Sequence, residues 1–274
     1  GTDDGRLQIT QNGGESWVDV TPQNLKGAQI NAIEVSPHEP GVAYIAVAGY
    51  KMNDFKPYIY KLTDYGKRWT RLDDDLPDDN FVRVVRADPE REGLLYAGSE
   101  GGLFVSFDDG DHWQSLNMNF PTVPITDLKV RQNTLIAATQ GRGFWALDEL
   151  TVIRQLNVNL SEKKLHVFKP KPSSLMRWGG RSAANEGKNP PSGVVFSYFL
   201  AEEFEGSISI DIQDTDGKVV RTYSSEERDF DRCVMGNMTP RLAYSMNYPP
   251  MKPGLNQWTW DMRKQGLTCI DDIR

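Results

Sequence analysis

A chain of 274 residues with 38% hydrophobic, 10% aromatic and 25% charged residues has the composition of a globular protein and room for one large or two ordinary domains. Its 38 acidic against 31 basic residues leave a net charge of −7, which argues against the clustered Lys and Arg of a nucleic-acid-binding face and against adhesion to anionic lipid. No stretch approaches the roughly 18 apolar residues of a membrane helix, whereas 24 Gly, 16 Pro and 7 Trp point to many short strands and tight turns.

In chain order, Gly1-Thr2-Asp3-Asp4-Gly5-Arg6-Leu7 matches Gly98-Ser99-Glu100-Gly101-Gly102-Leu103 with one residue fewer in the second copy, and 138–144 aligns with the first without a gap, more loosely. The first residue is Gly, and no charged-then-apolar leader follows it. The chain is therefore expected to be a piece of a longer protein that starts inside a repeat. An eight-residue box comes next, Thr10-Gln11-Asn12-Gly13-Gly14-Glu15-Ser16-Trp17. It returns as Ser106-Phe107-Asp108-Asp109-Gly110-Asp111-His112-Trp113 and, with Leu62 in place of the hydroxyl, as Leu62-Thr63-Asp64-Tyr65-Gly66-Lys67-Arg68-Trp69. Trp17, Trp69 and Trp113 stand 52 and 44 residues apart. Short strands repeating every 40–50 residues are what propeller blades show.

The alternation predicts strands at 31–37, 42–50, 58–63 and 69–72 for one blade and at 81–87, 94–99, 103–107 and 113–116 for the next. Strands at 125–130, 134–139 and 144–147 begin a further blade, and 6–10 with 17–20 are the last two of a preceding one. Residues 1–150 are thus expected to be about three blades of a partial β-propeller. Residues 151–189 read as an ordered linker, punctuated by Lys169-Pro170-Lys171-Pro172 and Gly179-Gly180. Residues 190–274 read as a small, incomplete β-sandwich with strands at 193–200, 207–213, 218–223 and 255–262. Asp214-Thr215-Asp216-Gly217 supplies a hairpin turn, because Asp-Gly readily takes positive φ. The fold class expected is all-β throughout.

Each box residue has a folding role. The hydroxyl and the third-position Asp or Asn bond backbone amides of their own turn, the Gly takes a conformation that a Cβ resists, and the Trp lays an apolar face over the hairpin. On that reading Thr10, Asn12, Gly14, Ser16, Trp17, Asp64, Gly66, Trp69, Ser106, Asp108, Gly110 and Trp113 are structural. These segments resemble Asp boxes, also called BNR repeats, of sialidases, xyloglucan-active glycosidases, the sortilin family and photosystem assembly factors. In those families the box lies on the turn between the third and fourth strands of a blade, away from the ligand.

A closer likeness spans nearly the whole chain. Residues 139–150, His166-Val167-Phe168-Lys169-Pro170, Asn189-Pro190-Pro191-Ser192-Gly193, 216–221 and Gly254-Leu255-Asn256-Gln257-Trp258-Thr259-Trp260-Asp261 are similar to the end of large bacterial sortilin-like proteins labelled glycosyl hydrolases. The resemblance implies a secreted, periplasmic or cell-surface protein with an immunoglobulin or fibronectin-III-like end domain. It carries little about chemistry, since the hydrolase label comes mainly from the boxes.

By the same resemblance, ligands meet the loops opposite the boxes: 2–6, 50–57, 99–102 and 140–143, with 21–29, 73–80 and 117–124 between blades. The ligand-binding candidates are Tyr50, Asp54, Phe55, Lys56, Glu100 and Arg142, an aromatic-and-charge mixture suited to a sugar or a peptide, although a solvated insertion explains 50–57 as well. A glycosidase needs two carboxylates roughly 5–9 Å apart. Asp54 and Glu100 are the catalytic candidates, but spacing singles out no pair. The third Arg and the Tyr–Glu nucleophile of a sialidase are not evident beside Arg6 and Arg142.

No metal site is expected. Asp73-Asp74-Asp75 with Asp78-Asp79 has the oxygen donors for Ca²⁺, yet consecutive side chains point apart and a solvated loop accounts for the run. The three His are scattered without ligand spacing. Cys233 and Cys269 form a disulfide in an oxidising compartment or remain two free thiols. The function expected is a non-catalytic extracytoplasmic binding or scaffold module for protein or glycan. The rival is a fragment of a sialidase- or xyloglucanase-like glycoside hydrolase whose catalytic residues lie largely outside this chain. Further blades of a parent chain, or self-association, are the expected cover for open sheet edges.

Overall fold

Between Gln8 and Leu147 the chain forms successive antiparallel sheets, and within each sheet every strand pairs with the one before it. A computed structural model describes residues 1–22, 25, 27–156, 160, 162–175, 192–226 and 248–264; Cys233 and Cys269 lie outside them. The protein is all-β, 41% strand and 6% helix, and divides into two compact units, Gly1–Leu150 and Thr151–Arg274.

In the first unit β1 (Gln8–Ile9) pairs with β2 (Val18–Asp19). Next come two four-stranded sheets. One holds β3 (Gln29–Val35), β4 (Ala43–Ala48), β5 (Tyr58–Thr63) and β6 (Arg68–Arg71); the other holds β7 (Val82–Ala87), β8 (Leu95–Ser99), β9 (Gly102–Ser106) and β10 (Gln114–Ser115). A three-stranded sheet of β11 (Ile125–Arg131), β12 (Thr134–Thr139) and β13 (Phe144–Leu147) follows.

The first strand of each of these three sheets carries a register shift at the same place, leaving Asn31, Arg83 and Thr126 as the extra residues. A bulge sharpens the local twist, and a twisted four-strand meander is a propeller blade. β7 packs against β3 and β4 on one side and against β11 on the other, so the sheets stack face on face. β4 and β8 read as near-continuous apolar runs because both of their faces are covered.

Between the two four-stranded sheets lies a core of Tyr44, Ala46, Ile59 and Leu72 from one and Val82, Val85, Leu95, Phe104 and Trp113 from the other. A second core joins Leu7, Leu25 and Ile30 to Ile45, Val47, Tyr60 and Leu62. Arg86 on β7 ties the first strands together. It donates to Asp127 at 2.7 Å and to the Leu128 carbonyl at 2.8 Å on β11, and lies 3.6 Å from Glu34 on β3. Burial pushes the Glu34 carboxyl above its ordinary value, although Arg86 pulls it down.

The boxes occupy the β1–β2, β5–β6 and β9–β10 turns. In all three the fourth and fifth positions are left-handed: Gly13 and Gly14 (φ 70° and 99°), Tyr65 and Gly66 (55° and 91°), Asp109 and Gly110 (64° and 94°). The fifth position must be Gly for a second reason. A Cβ on Gly66 would lie 2.5 Å from Val20, and one on Gly110 2.8 Å from Leu72. Val20 and Leu72 each stand three residues after the preceding box's Trp, so the second and third turns bed onto the sheet before them.

Trp113 completes the grip. It is buried, and its indole N–H donates to the Leu72 carbonyl at 2.6 Å in the preceding sheet. Trp113 thus fastens one sheet to the next. Asp109 reaches the same neighbour, accepting hydrogen bonds from the Tyr44 hydroxyl and the Lys61 ammonium.

The second unit opens with the short helix α1 (Thr151–Gln155), and β14 (Leu165–Val167), β15 (Val194–Leu200) and β18 (Gly254–Trp260) form one sheet while β16 (Ser209–Gln213) and β17 (Val219–Ser224) form another. Tyr198, Leu200, Ile208 and Trp258 make their shared core, with Tyr223 packed edge-on to Trp258 at 4.4 Å. The sandwich begins earlier than the reading of 151–189 as a linker allows. β14 pairs with β15, and Phe168 is fully buried. Three residues are too few for an alternation to register. The predicted turn at 214–217 is present, with Gly217 at φ 78° and Asp214 accepting from the backbone of Asp216 and Lys218.

The unequal neighbours of the box glycines yield a graded prediction. Gly14→Ala, whose Cβ would meet nothing nearer than Trp17 at 3.9 Å, should cost only left-handed strain of about 1–2 kcal/mol. Gly66→Ala and Gly110→Ala should lose a further ~1–3 kcal/mol through overpacking. Urea unfolding of the three variants measures the order; equal losses would contradict the inter-sheet grip.

Candidate functional site

Because the sheets are meanders, the β4–β5 and β8–β9 turns and the connections between sheets gather at the end opposite the boxes. Phe81, immediately before β7, is the buried centre of that end. Tyr50 stacks on it with ring centroids 4.9 Å apart and planes at 19°, Phe55 approaches at 6.4 Å, and the Arg83 guanidinium lies 5.0 Å from its centroid. Arg83, the extra residue of the β7 bulge, donates through Nε to Glu100, whose backbone N–H donates to the Phe81 carbonyl at 3.2 Å. The turn carrying Glu100 is held from both sides. Asn80 accepts from the Gly101 N–H, and Asn117 accepts from the Leu103 N–H at 2.8 Å. The Asn80 amide fills the space a Gly101 Cβ would need.

Asp54 faces a different partner. The Tyr58 hydroxyl donates to it at 2.7 Å and the Lys56 backbone N–H at 3.2 Å. Burial, then the hydrogen bond to the Asp54 carboxylate, pushes the Tyr58 hydroxyl up to about 12. The Arg71 guanidinium lies over the Tyr58 ring at 4.8 Å and grips the buried Asp73 with three N–H contacts of 2.6–2.9 Å. That pairing raises the Arg71 pKa. The β4–β5 turn is anchored by these bonds and by the Met52 and Asp54 N–H groups on the Gly49 carbonyl.

Of the residues nominated from sequence, Tyr50, Phe55 and Glu100 come together around Phe81 and Arg83. Asp54 turns to Tyr58, and Lys56 is exposed beside it. Arg142 sits apart, exposed on the β12–β13 turn, with its backbone N–H on Thr139 Oγ1 and its carbonyl accepting from Trp145. Of the acidic run, Asp73 is held by Arg71, and Asp75 accepts from the Trp113 backbone N–H at 3.2 Å.

Sequence reasoning missed Phe81 and Arg83 as site residues. A signal for Arg83 was present, since the doubled Val of Val82-Arg83-Val84-Val85-Arg86 breaks the period of two, and a break of that kind marks a bulge. A second repeat was also missed: Ser36-Pro37-His38-Glu39-Pro40-Gly41 and Asp88-Pro89-Glu90-Arg91-Glu92-Gly93, 52 residues apart. These are the β3–β4 and β7–β8 turns. In each, the leading side chain accepts two backbone N–H groups, Ser36 from His38 and Glu39, Asp88 from Glu90 and Arg91.

The side chains of the complete boxes turn inward on their own loops. Thr10 donates to Asn12 at 2.9 Å and accepts from the Gly14 N–H, while Asn12 accepts from the Ser16 N–H. Ser106, Asp108, Gly110 and His112 repeat these bonds at 2.8–2.9 Å. The second box keeps the left-handed fourth and fifth positions without them, and its third residue, Asp64, is left-handed as well (φ 50°). With Leu62 in place of the hydroxyl, Asp64 pairs instead with Arg68 at 2.6 Å. In the third box the His112 ring adds a 2.6 Å contact to Asp108. Burial raises the Asp108 carboxyl, but the side-chain and backbone bonds from His112 and the Ser106 hydroxyl outweigh it and hold it below its ordinary value. Its hydrogen bond to Asp108 holds His112 above the ordinary imidazole value.

Neither the family models nor the curated proteins give a match. Among solved structures the chain is similar to YCF48 bound to D1 peptide, at 19% identity and a TM-score of 0.38 over 55% of this chain and 51% of that one. It is similar also to the GH74 enzyme of Niastella koreensis (20%, TM-score 0.43, 54% of this chain and 26% of that one). The GH74 xyloglucanase of Xanthomonas campestris is a third (20%, TM-score 0.43, 54% and 24%). The chain spans about half or less of the length of these proteins. The propeller-type fold is defined by the sheets themselves.

The third box has a pH signature. His112 is raised from 6.5, so its contribution is complete below 6.5 and lost as pH rises through the higher folded value. Asp108 is lowered from 3.8, so its contribution is complete above 3.8 and lost as pH falls through the lower folded value. His112→Ser, which restores the residue of the first box, should therefore lower Tm most between those two ordinary values and least at about pH 9. Thermal melts across that range test it; a Tm difference independent of pH would count against the pairing.

Proposed function

We propose that this chain belongs to a non-catalytic extracytoplasmic binding or scaffold module that takes its ligand on the loops opposite the boxes. The observation that carries this reading is the cluster of Tyr50, Phe55 and Phe81 backed by the Arg83–Glu100 pair. Aromatic rings held by stacking and by a charge network form a preorganised platform, which is what a binding surface requires and what a solvated insertion lacks. The nominated carboxylates are already engaged, Glu100 by Arg83 and Asp54 by Tyr58. A glycosidase needs one carboxylic acid and one carboxylate addressed to substrate. That requirement weighs against the glycoside-hydrolase alternative for the residues of this chain.

Between a protein and a glycan ligand, the exposed side chains favour protein. Met52 (50% exposed) and Phe55 (47% exposed) stand together with Lys51 and Lys56 on one turn. That combination suits an extended polypeptide with an apolar side chain next to acidic ones, since a thioether is adaptable apolar surface. The finer family reading fits the same picture: an Asp-box propeller of the sortilin-like type followed by a fibronectin-III-like domain in a secreted or periplasmic protein. The three-stranded sheet and its exposed Phe144 are then covered by further blades or by a second copy.

The full-length parent, or this chain with its missing cover, should bind members of a peptide library. Phe55→Ala or Tyr50→Ala should weaken binding about tenfold or more, roughly 1.4 kcal/mol, without lowering Tm by more than a few degrees. Turnover of a panel of aryl glycosides that disappears in Asp54→Asn or Glu100→Gln would replace this reading with the hydrolase one.

A further inference from the structure

We propose that the box end of the first unit carries a second binding site, a cleft between the two four-stranded sheets that takes a small organic cation through its ammonium or guanidinium group. The cleft encloses about 340 Å³, within the range of sites that hold small molecules. Its two walls are the Ser36–Gly41 and Asp88–Gly93 turns, copies of one motif displaced by a blade, so it is a gap between two matched arms. The arms are rigid. Each is closed by two backbone N–H groups on its leading side chain, and His38 Nε2 donates to the Asp88 carbonyl at 2.7 Å, tying one arm to the other.

The chemistry of the cleft follows from which of its charges are already matched. At the floor, Lys61 and the Tyr44 hydroxyl both hold Asp109, so that carboxylate and that ammonium neutralise each other. Asp108 belongs to its box and to His112. The Arg91 guanidinium lies 5.1 Å from the centroid of the Phe107 ring. Glu39 and Glu92 remain, one on each arm. Both are exposed, and neither carboxylate has a hydrogen-bond or ion-pair partner among the described residues. Both also raise the pKa of the buried Tyr44 hydroxyl, after burial and Asp109, so the fields of the two arms converge inside the cleft.

Two unmatched carboxylates, one from each arm, line the cleft together with Tyr44, Leu94 and Leu95. A cation with an apolar stem satisfies both features: its head lies between the carboxylates and its stem lies on the apolar floor. An anion would have to displace Asp109 from Lys61 and Tyr44 while facing Glu39 and Glu92. The site is independent of the loop cluster, which lies at the opposite end of the sheets.

Isothermal titration of the chain with agmatine at low ionic strength is the test, with glutarate as the anionic control. The expected result is saturable one-to-one binding of agmatine that weakens as salt is raised. It should drop at least tenfold in Glu39→Gln and in Glu92→Gln, exposed positions where folding is not at stake, and stay unchanged in Phe55→Ala. Binding of glutarate in place of agmatine, non-saturating heats, or agmatine affinity unaffected by the two Gln variants would each overturn the proposal. Because Phe55→Ala addresses only the loop cluster, failure here leaves the peptide-binding reading intact, and the converse holds as well.

Discussion

The first unit depends on a turn whose fourth and fifth residues are both left-handed. That conformation lets the backbone of the box lie flat against the sheet before it, with Gly66 over Val20 and Gly110 over Leu72. Trp113 then reaches the Leu72 carbonyl, and Asp109 reaches Tyr44 and Lys61. A blade by itself has two apolar faces and cannot bury both. The box therefore joins blades as well as closing a hairpin. Its persistence in the second copy, where Leu62 has removed the hydroxyl and Asp64 has gone to Arg68, shows that the backbone shape is the essential part and the internal side-chain bonds support it.

Fastening the sheets at one end leaves the other end with a different character. At the box end contacts run between sheets through hydrogen bonds and charge, from His38 to Asp88, Lys61 to Asp109 and Trp113 to Leu72. At the loop end they run through aromatic stacking, with Phe81 from one sheet under Tyr50 and Phe55 from its neighbour. Arg86 spans three first strands between the two ends. Relative sliding of the sheets is thus resisted along their whole height, and side chains left over at either end are presented on a stiff frame. That is the condition under which a few exposed residues can bind without a large ordering cost.

Much of this frame was legible in the residues. The fully apolar runs of β4 and β8 and the alternation of β5 located the strands, and the spacing of the box Trp residues located the blades. Three things were less legible, each for a physical reason. The partner of Trp113 lies 41 residues away in the preceding sheet, and no local pattern reports a contact across sheets. Phe81 and Arg83 became site residues only because a bulge turned Arg83 towards Glu100, and alternation alone assigns such a residue to the wrong face. β14 joins the sandwich through three residues whose pairing is decided by β15, not by their own pattern. The Ser36 and Asp88 turns were legible at the blade spacing and went unread, since Pro and Gly mark a turn of almost any kind.

The proposed choice of binding over catalysis turns on how the carboxylates are engaged. Acid–base catalysis requires groups whose charge is free to change as the reaction proceeds. Glu100 is locked to a guanidinium that is itself held against Phe81, and Asp54 accepts from a phenol whose own pKa that contact helps to raise. Both carboxylates thereby position the loops that carry them. The same networks hold the aromatic cluster as a fixed surface. A surface held in advance lowers the ordering cost of binding, and on that the proposed recognition role at the loop end rests.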